Sequence, residues 1–325
     1  MSHRAISSLA RLITVMVSLL CVSVPLAARA TEHAKFKLEE ASIADIQSAV
    51  DKNELTYQQL VQMYLARINA YDKNGPKINS IITINPEAIK TAAALDAEFK
   101  KTGRRSMLHG IPVLLKDNVD TFDMPTTNGS VILKHSIPPD DAHLAKALRD
   151  AGAIIIGKAS MGEFAGGSYN TVIGQVLNPY NLKRQTGGSS AGSGAAIASN
   201  FAVLSVGTDT STSVRGPAAY NGIVGLRPTT GLISRDGIAP KNLNFDSSGP
   251  MARSVTDVAK MLSVMAGPDA ADPLSVQVWS EIKKNHGTDI GKNGHVDYTK
   301  FLNVKSFGSL PYRLATGPNI GGGVR

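Results

Sequence analysis

Apolar residues along this chain fall into two alternating rhythms, one with helical period and one of short continuous runs. Ser42 followed by Asp45, and Thr56 followed by Gln59, stand as capping boxes ahead of periodic apolar segments. In such a box a hydroxyl and a carboxylate or amide exchange hydrogen bonds with the first free N–H groups of a helix. In the second segment Leu60, Tyr64 and Ile68 share one face with Val61 and Leu65 beside them, which predicts helices over 43–52 and 57–72. Gly75-Pro76 closes the second helix. Ile81, Ile82 and Ile84 make a strand-like run, and Asn85-Pro86 opens an alanine-rich helix that reaches about Lys100. The alternation continues with a strand over 111–115, a helix over 141–151, a strand over 153–157, a small-residue helix over 191–199 and a strand over 202–206. Buried strands of this length separated by helices predict an α/β fold, a β-sheet core covered by helices on both faces. From about Asp272 the pattern changes: 285–295 is polar and glycine-rich, and 306–325 has little periodicity.

The first thirty residues follow another logic. Arg4 and Arg11 precede an apolar run over 12–24, followed by Pro25 and the small-residue pattern Ala28-Arg29-Ala30. This is the layout of a cleaved secretory signal peptide, and the run is shorter than the roughly 20 residues a membrane-spanning helix needs. The expectation is a secreted or periplasmic protein cut near Ala30, with residues 31–325 as its body and no stable membrane insertion after cleavage. An uncleaved anchor is the competing reading. Leu20 stands where a lipoprotein signal carries a small residue, which argues against lipid attachment at Cys21.

Composition narrows the class. With 325 residues, 42% hydrophobic and 18% charged, the chain can bury an ordinary core, so neither a stapled mini-protein nor a disordered polyelectrolyte is expected. Taking away the leader removes three arginines and the only cysteine, leaving 31 basic against 26 acidic residues. The body then has no disulfide and no cysteine nucleophile or Cys-based metal site, and neither a metal nor a cofactor is expected. Lys100, Lys101, Arg104 and Arg105 form the one basic cluster, without interleaved aromatics, and read as a solvated loop rather than a nucleic-acid patch.

The densest chemical signal lies in the Gly/Ser blocks 187–194 and 207–213, where glycines allow the close backbone approach that a serine nucleophile with amide donors beside it requires. A flexible loop is the bland reading of the same residues. Gly188-Ser189-Ser190-Ala191-Gly192 also matches the G-x-S-x-G elbow of Ser-His-Asp hydrolases, with Ser190 central. That elbow needs an apolar strand before it and a histidine after it; Asn181-Leu-Lys-Arg-Gln-Thr is polar, and only His286 and His295 follow. Lys116 offers a different base. It closes an apolar strand, where partial burial disfavours the ammonium, and a neutral lysine can take a proton from a serine. A surface lysine that snorkels outward is the alternative.

Gly110-Ile-Pro-Val-Leu-Leu-Lys116-Asp, Asn178-Pro-Tyr with Arg184-Gln-Thr-Gly-Gly-Ser-Ser-Ala-Gly-Ser, Gly207-Thr-Asp-Thr-Ser-Thr-Ser213-Val-Arg-Gly-Pro-Ala-Ala and Gly222-Ile-Val-Gly-Leu-Arg-Pro-Thr-Thr-Gly occur in that order. Together they resemble the amidase signature family of Ser-Ser-Lys hydrolases, over about Leu38 to Pro268. The resemblance implies a mixed β-sheet fold and hydrolysis of a small-molecule carboxylic amide to acid and amine or ammonia. It places the nucleophile on Ser213, the bridging serine on Ser189 after a cis peptide from Gly188, and the base on Lys116. It also implies an oxyanion hole from the backbone N–H groups of Thr210, Ser211, Thr212 and Ser213. Two features depart from the family pattern. Ser211-Thr212 replaces glycine before the nucleophile, and a β-branched residue resists positive φ. The stretch 272–325 is atypical and reads as a truncated end near residue 305. Both departures keep open a non-catalytic remnant of the fold as the alternative.

Overall fold

Both capping boxes close in the computed structural model, which describes residues 36–286, 296–301 and 312–316. Residues 1–30, where a leader is expected, His295 and most of 302–325 lie outside the described residues. In α1 (Ile43–Asp51) the Ser42 hydroxyl accepts from the Asp45 N–H at 3.2 Å while the Asp45 carboxylate accepts from the Ser42 N–H at 2.9 Å. Thr56 and Gln59 make the same exchange at the start of α2 (Tyr57–Ile68). The second helix is shorter than its pattern predicts because it continues as one π turn, Asn69–Lys73. That turn buries Asp72, whose carboxylate accepts from the Ser80 N–H and hydroxyl at 2.6 Å each and so starts the next strand.

The remaining elements follow in order: β1 (Ile81–Ile84), α3 (Ala88–Thr102), β2 (Pro112–Lys116), α4 (His143–Asp150), β3 (Ile154–Ala159), the small hairpin β4 (Tyr169–Asn170) and β5 (Gly174–Gln175), and α5 (Ala191–Ala198). Then come β6 (Leu204–Asp209), α6 (Arg215–Tyr220), β7 (Val224–Pro228), β8 (Ser247–Ala252), α7 (Val255–Met265), α8 (Pro273–His286) and β9 (Tyr312–Thr316). The main sheet has the order β1-β3-β2-β6-β8-β7-β9. Its centre, β3-β2-β6, is parallel, and the flanking pairs β1 with β3, β6 with β8, β7 with β8 and β7 with β9 are antiparallel. Every residue of β2, β3, β6 and β8 is buried. Successive strand side chains point to opposite faces, so both faces of the sheet are covered, as the continuous apolar runs predict.

The later elements carry weaker signals. β8, Ser-Ser-Gly-Pro-Met-Ala, has little intrinsic strand preference; it forms because it pairs with β6 through all six residues. Gly249 lies against the Leu226 carbonyl, where a side chain has no room. α8 falls in the stretch expected to depart from the fold, yet it docks: Trp279 is buried and donates its indole N–H to the Leu232 carbonyl at 3.0 Å. The basic cluster is not a free loop either. Lys100 and Lys101 end α3, while Arg104 pairs with Asp51 at 2.8 Å and Arg105 with Glu98.

Candidate active site

Parallel pairing of β2 with β6 sets the geometry, because both strands end at the same edge of the sheet and bring Lys116 beside Thr208. Lys116 is wholly buried. Its ammonium group donates to the Ser189 hydroxyl at 2.7 Å, the Thr208 hydroxyl at 2.7 Å and the Thr208 carbonyl at 3.2 Å. Desolvation dominates its titration and brings the pKa from 10.5 down to about 7, against the opposing pull of the Asp209 and Asp246 carboxylates and with a smaller push from Lys241. Lys116 therefore does not snorkel outward.

Ser189 belongs to the loop that leads into α5, and the peptide bond from Gly188 is cis. Any side chain at Gly188 would collide with the Gly167 carbonyl, and one at Gly192 with Ser80 and Ser160, so the glycines of this block are packing requirements. The Ser189 carbonyl accepts from the Gly162 N–H at 3.0 Å, which pins the loop from below. Ser190 is spent differently. Its hydroxyl donates to the Thr208 carbonyl at 3.1 Å and accepts from the Thr208 N–H at 3.2 Å. Both bonds tie α5 to β6, which removes Ser190 from contention as the centre of a Ser-His-Asp elbow.

Ser213 follows β6 and is held near Ser189 through the backbone, since the Ser190 N–H donates to the Ser213 carbonyl at 3.2 Å. It is 9% exposed, against 1% for Ser189 and none for Lys116, so of the three it is the one that reaches the surface. Among the described residues the Ser213 hydroxyl has no hydrogen-bond partner, so Lys116 and Ser189 are joined directly and Ser213 is not yet joined to them.

The turn 210–213 is built differently from the glycine-containing pattern of the family. None of its four residues takes positive φ, so the turn is built without the left-handed position that glycine would supply. It is held from outside. The Thr210 hydroxyl donates to Asp246, and the Val214 N–H donates to the Asp209 carboxylate at 3.0 Å. The Arg215 guanidinium reaches both Asp209 and the Ser211 carbonyl. Among the described residues the N–H groups of Thr210, Ser211, Thr212 and Ser213 have no protein acceptor.

Several residues of the site were not singled out from the sequence. Thr208 accepts from Lys116 through both its hydroxyl and its carbonyl, alongside Ser189. Asp209 is buried, which raises its carboxyl, yet bonds from Val214 and Arg215 outweigh burial and hold it below its ordinary value. Arg227 also clamps Asp209, at 2.9 Å. A charged residue inside the apolar run Ile-Val-Gly-Leu-Arg-Pro was the available signal for Arg227. Lys241 and Asp246 border a small cavity beside Thr208 with Asn118 and Thr210. Among the described residues no group of three or more His, Cys, Asp or Glu is placed to hold a metal ion, and no helix is long and apolar enough to cross a membrane.

Residues 59–294 match the sequence profile of the amidase family. The chain belongs to that family. Among its amidase-family relatives are a glutamyl-tRNA(Gln) amidotransferase subunit from Alkaliphilus metalliredigens, 44% identical over 74% of this chain and 49% of the relative, and a probable amidase of Arabidopsis thaliana, 38% identical over 80% and 52%. Among solved amidase-family structures, the peptide amidase of Stenotrophomonas maltophilia superimposes with a TM-score of 0.72 at 44% identity, over 74% of this chain and 50% of that one. An amidase family protein from Bacillus anthracis gives a TM-score of 0.75 at 39% identity, over 81% and 51%. The chain thus spans about half the length of the relatives it matches.

Proposed function

We propose that this chain hydrolyses a carboxylic amide through a serine acyl-enzyme, with Ser213 as nucleophile, Ser189 as proton bridge and Lys116 as base. The observation that carries this reading is the 2.7 Å bond from a fully buried, readily neutralised lysine to the Ser189 hydroxyl. With Lys116 neutral, the Ser213 oxygen attacks the amide carbon while its proton passes to Ser189 and the Ser189 proton passes to Lys116. The carbonyl oxygen becomes an oxyanion, for which the N–H groups of 210–213 are the available donors. Collapse breaks the C–N bond, the relay returns the proton to the leaving amine or ammonia, and water then releases the acid by the same route in reverse. No metal or cofactor enters these steps.

The test is labelling with a fluorophosphonate, which phosphonylates an activated serine. Labelling that disappears in Ser213→Ala, together with release of acid from an amide panel, supports the reading; a folded chain that neither labels nor hydrolyses overturns it and leaves the non-catalytic alternative. The panel includes peptide amides, the substrate class suggested by the name of the peptide amidase at 44% identity. The leader over 1–30 supports action outside the cytoplasm, after cleavage near Ala30.

A further inference from the structure

One buried charged pair next to this site has no part in the proton relay. Asp117, directly after the proposed base, and Lys158, on the neighbouring strand β3, are both wholly buried. Their charged atoms stand 3.8 Å apart, beyond hydrogen-bond range, and one oxygen of the Asp117 carboxylate has no hydrogen-bond partner. Burial pushes the Asp117 carboxyl up and the Lys158 ammonium down. Buried ion pairs can often be replaced by apolar residues of similar volume without loss of stability, so stability alone does not account for the pair.

Its connections do. The Thr127 hydroxyl and the Gly129 N–H donate to the other Asp117 oxygen, and the Asn128 N–H donates to the Asp117 carbonyl at 3.3 Å. The Lys158 ammonium donates to the Thr126 hydroxyl at 3.0 Å and the Pro125 carbonyl at 3.2 Å. The loop 125–129 is therefore gripped by two charges, one from the residue after β2 and one from β3. That loop in turn holds the far side of the site. The Asn128 carbonyl accepts from the Phe164 N–H at 3.0 Å, in the same loop whose Gly162 N–H donates to the Ser189 carbonyl at 3.0 Å. Phe164 and Ala165 sit there in left-handed conformation, which surrounding bonds must impose on residues with a Cβ. A continuous set of bonds thus runs from the residue after Lys116, through loops 125–129 and 162–165, to the residue that Lys116 contacts.

We propose that the buried Asp117–Lys158 pair is a positioning device that fixes the separation between Lys116 and Ser189. This rests on the amidase reading above for its kinetic consequence and on geometry alone for its structural one. Lys116 faces Asp209, Asp246 and Lys241, and Lys158 faces Asp117, Asp120, Asp123 and Asp141, so the pair touches Lys116 through position rather than as its nearest charge.

The experiment compares the full chain with the double variant Asp117→Asn/Lys158→Met, which removes both charges and leaves neither buried alone. Four quantities are measured: thermal unfolding, kcat and KM on p-nitroacetanilide, and the titration of the Lys116 ammonium by NMR of lysine-labelled protein. Loss of positioning lowers kcat by about 100-fold with KM nearly constant. It also moves the Lys116 titration upward as the ammonium gains hydration. A double variant with unchanged kcat and unchanged Lys116 titration, whatever its melting temperature, overturns the proposal. If the parent chain hydrolyses no amide, the amidase reading fails and the titration alone decides this one. If the double variant does not fold, Thr127→Val, which removes one hydroxyl from the grip, is expected to move the Lys116 titration in the same direction; an unmoved titration overturns the proposal.

Discussion

Replacing Lys116 by Met tests the central electrostatic claim with two independent readings. Burial brings the Lys116 pKa from 10.5 to about 7, so keeping the charge on this residue in the folded chain is unfavourable by about 5 kcal/mol relative to the unfolded chain. The folded value is the lower one, so between pH 7 and 10.5 the unfolded chain binds the proton and the folded chain does not. Stability therefore rises with pH across that window, and the full penalty is present below pH 7. Met fills the same space without the charge. The difference in unfolding free energy between parent and Lys116→Met should grow in the parent's favour by about 2 kcal/mol from pH 7 to pH 9, measured by urea unfolding at each pH. The kinetic reading has the same origin: kcat/KM of the parent should rise tenfold per pH unit below about 7 and level off above it, because only neutral Lys116 accepts a proton. A parent-minus-variant stability difference that is flat between pH 7 and 9 would refute a buried, neutralised lysine, whatever the activity.

Four further outcomes follow from the geometry. Asp246→Asn removes a carboxylate that favours charged Lys116 and should shift the acid limb to lower pH, whereas Lys241→Met removes an opposing cation and should shift it to higher pH; limbs moving together contradict this assignment. Gly188→Ala drives a methyl group into the Gly167 carbonyl and should cost about 1–3 kcal/mol in chemical unfolding while abolishing fluorophosphonate labelling. Ser42→Ala removes the cap of α1, far from the site, and should lower stability by about 1 kcal/mol with labelling intact. For export, mass spectrometry of the secreted chain should find an N-terminus near Thr31, and an intact Met1 in the membrane fraction would show an anchor instead.

The first two-thirds of the fold could be read from the chain because its signals are local. Capping boxes at Ser42 and Thr56 and continuous apolar strands mark elements within about four residues of where they form. β8 and α8 were not legible, since each is defined by what it packs against: β8 by β6 and β7, and α8 by the bonds of Trp279 to Leu232 and of Ser275 to Gly267 and Asp269. At the site, Lys116 and the two serine blocks stood out as unusual residues in unusual company. Thr208 did not, because its role depends on strand register, which brings residues 92 positions apart into contact. Asp117 and Lys158 are equally silent in sequence, as an Asp-Lys pair gives no sign of burial until two strands are aligned.

Lys116 and Ser189 are 73 positions apart and Lys116 and Thr208 are 92 apart, yet the three meet within hydrogen-bond distance. No short segment of this chain can therefore assemble the site by itself. On the proposed mechanism a serine is activated only when β2, β6 and α5 have docked; before that, there are only isolated hydroxyls and a solvated ammonium. On that mechanism fluorophosphonate labelling serves as a clock for the docking of these three elements. In refolding from urea its return should keep pace with tertiary structure rather than with the earlier rise of helix, and limited proteolysis at any loop that separates these segments should silence the site in every released fragment.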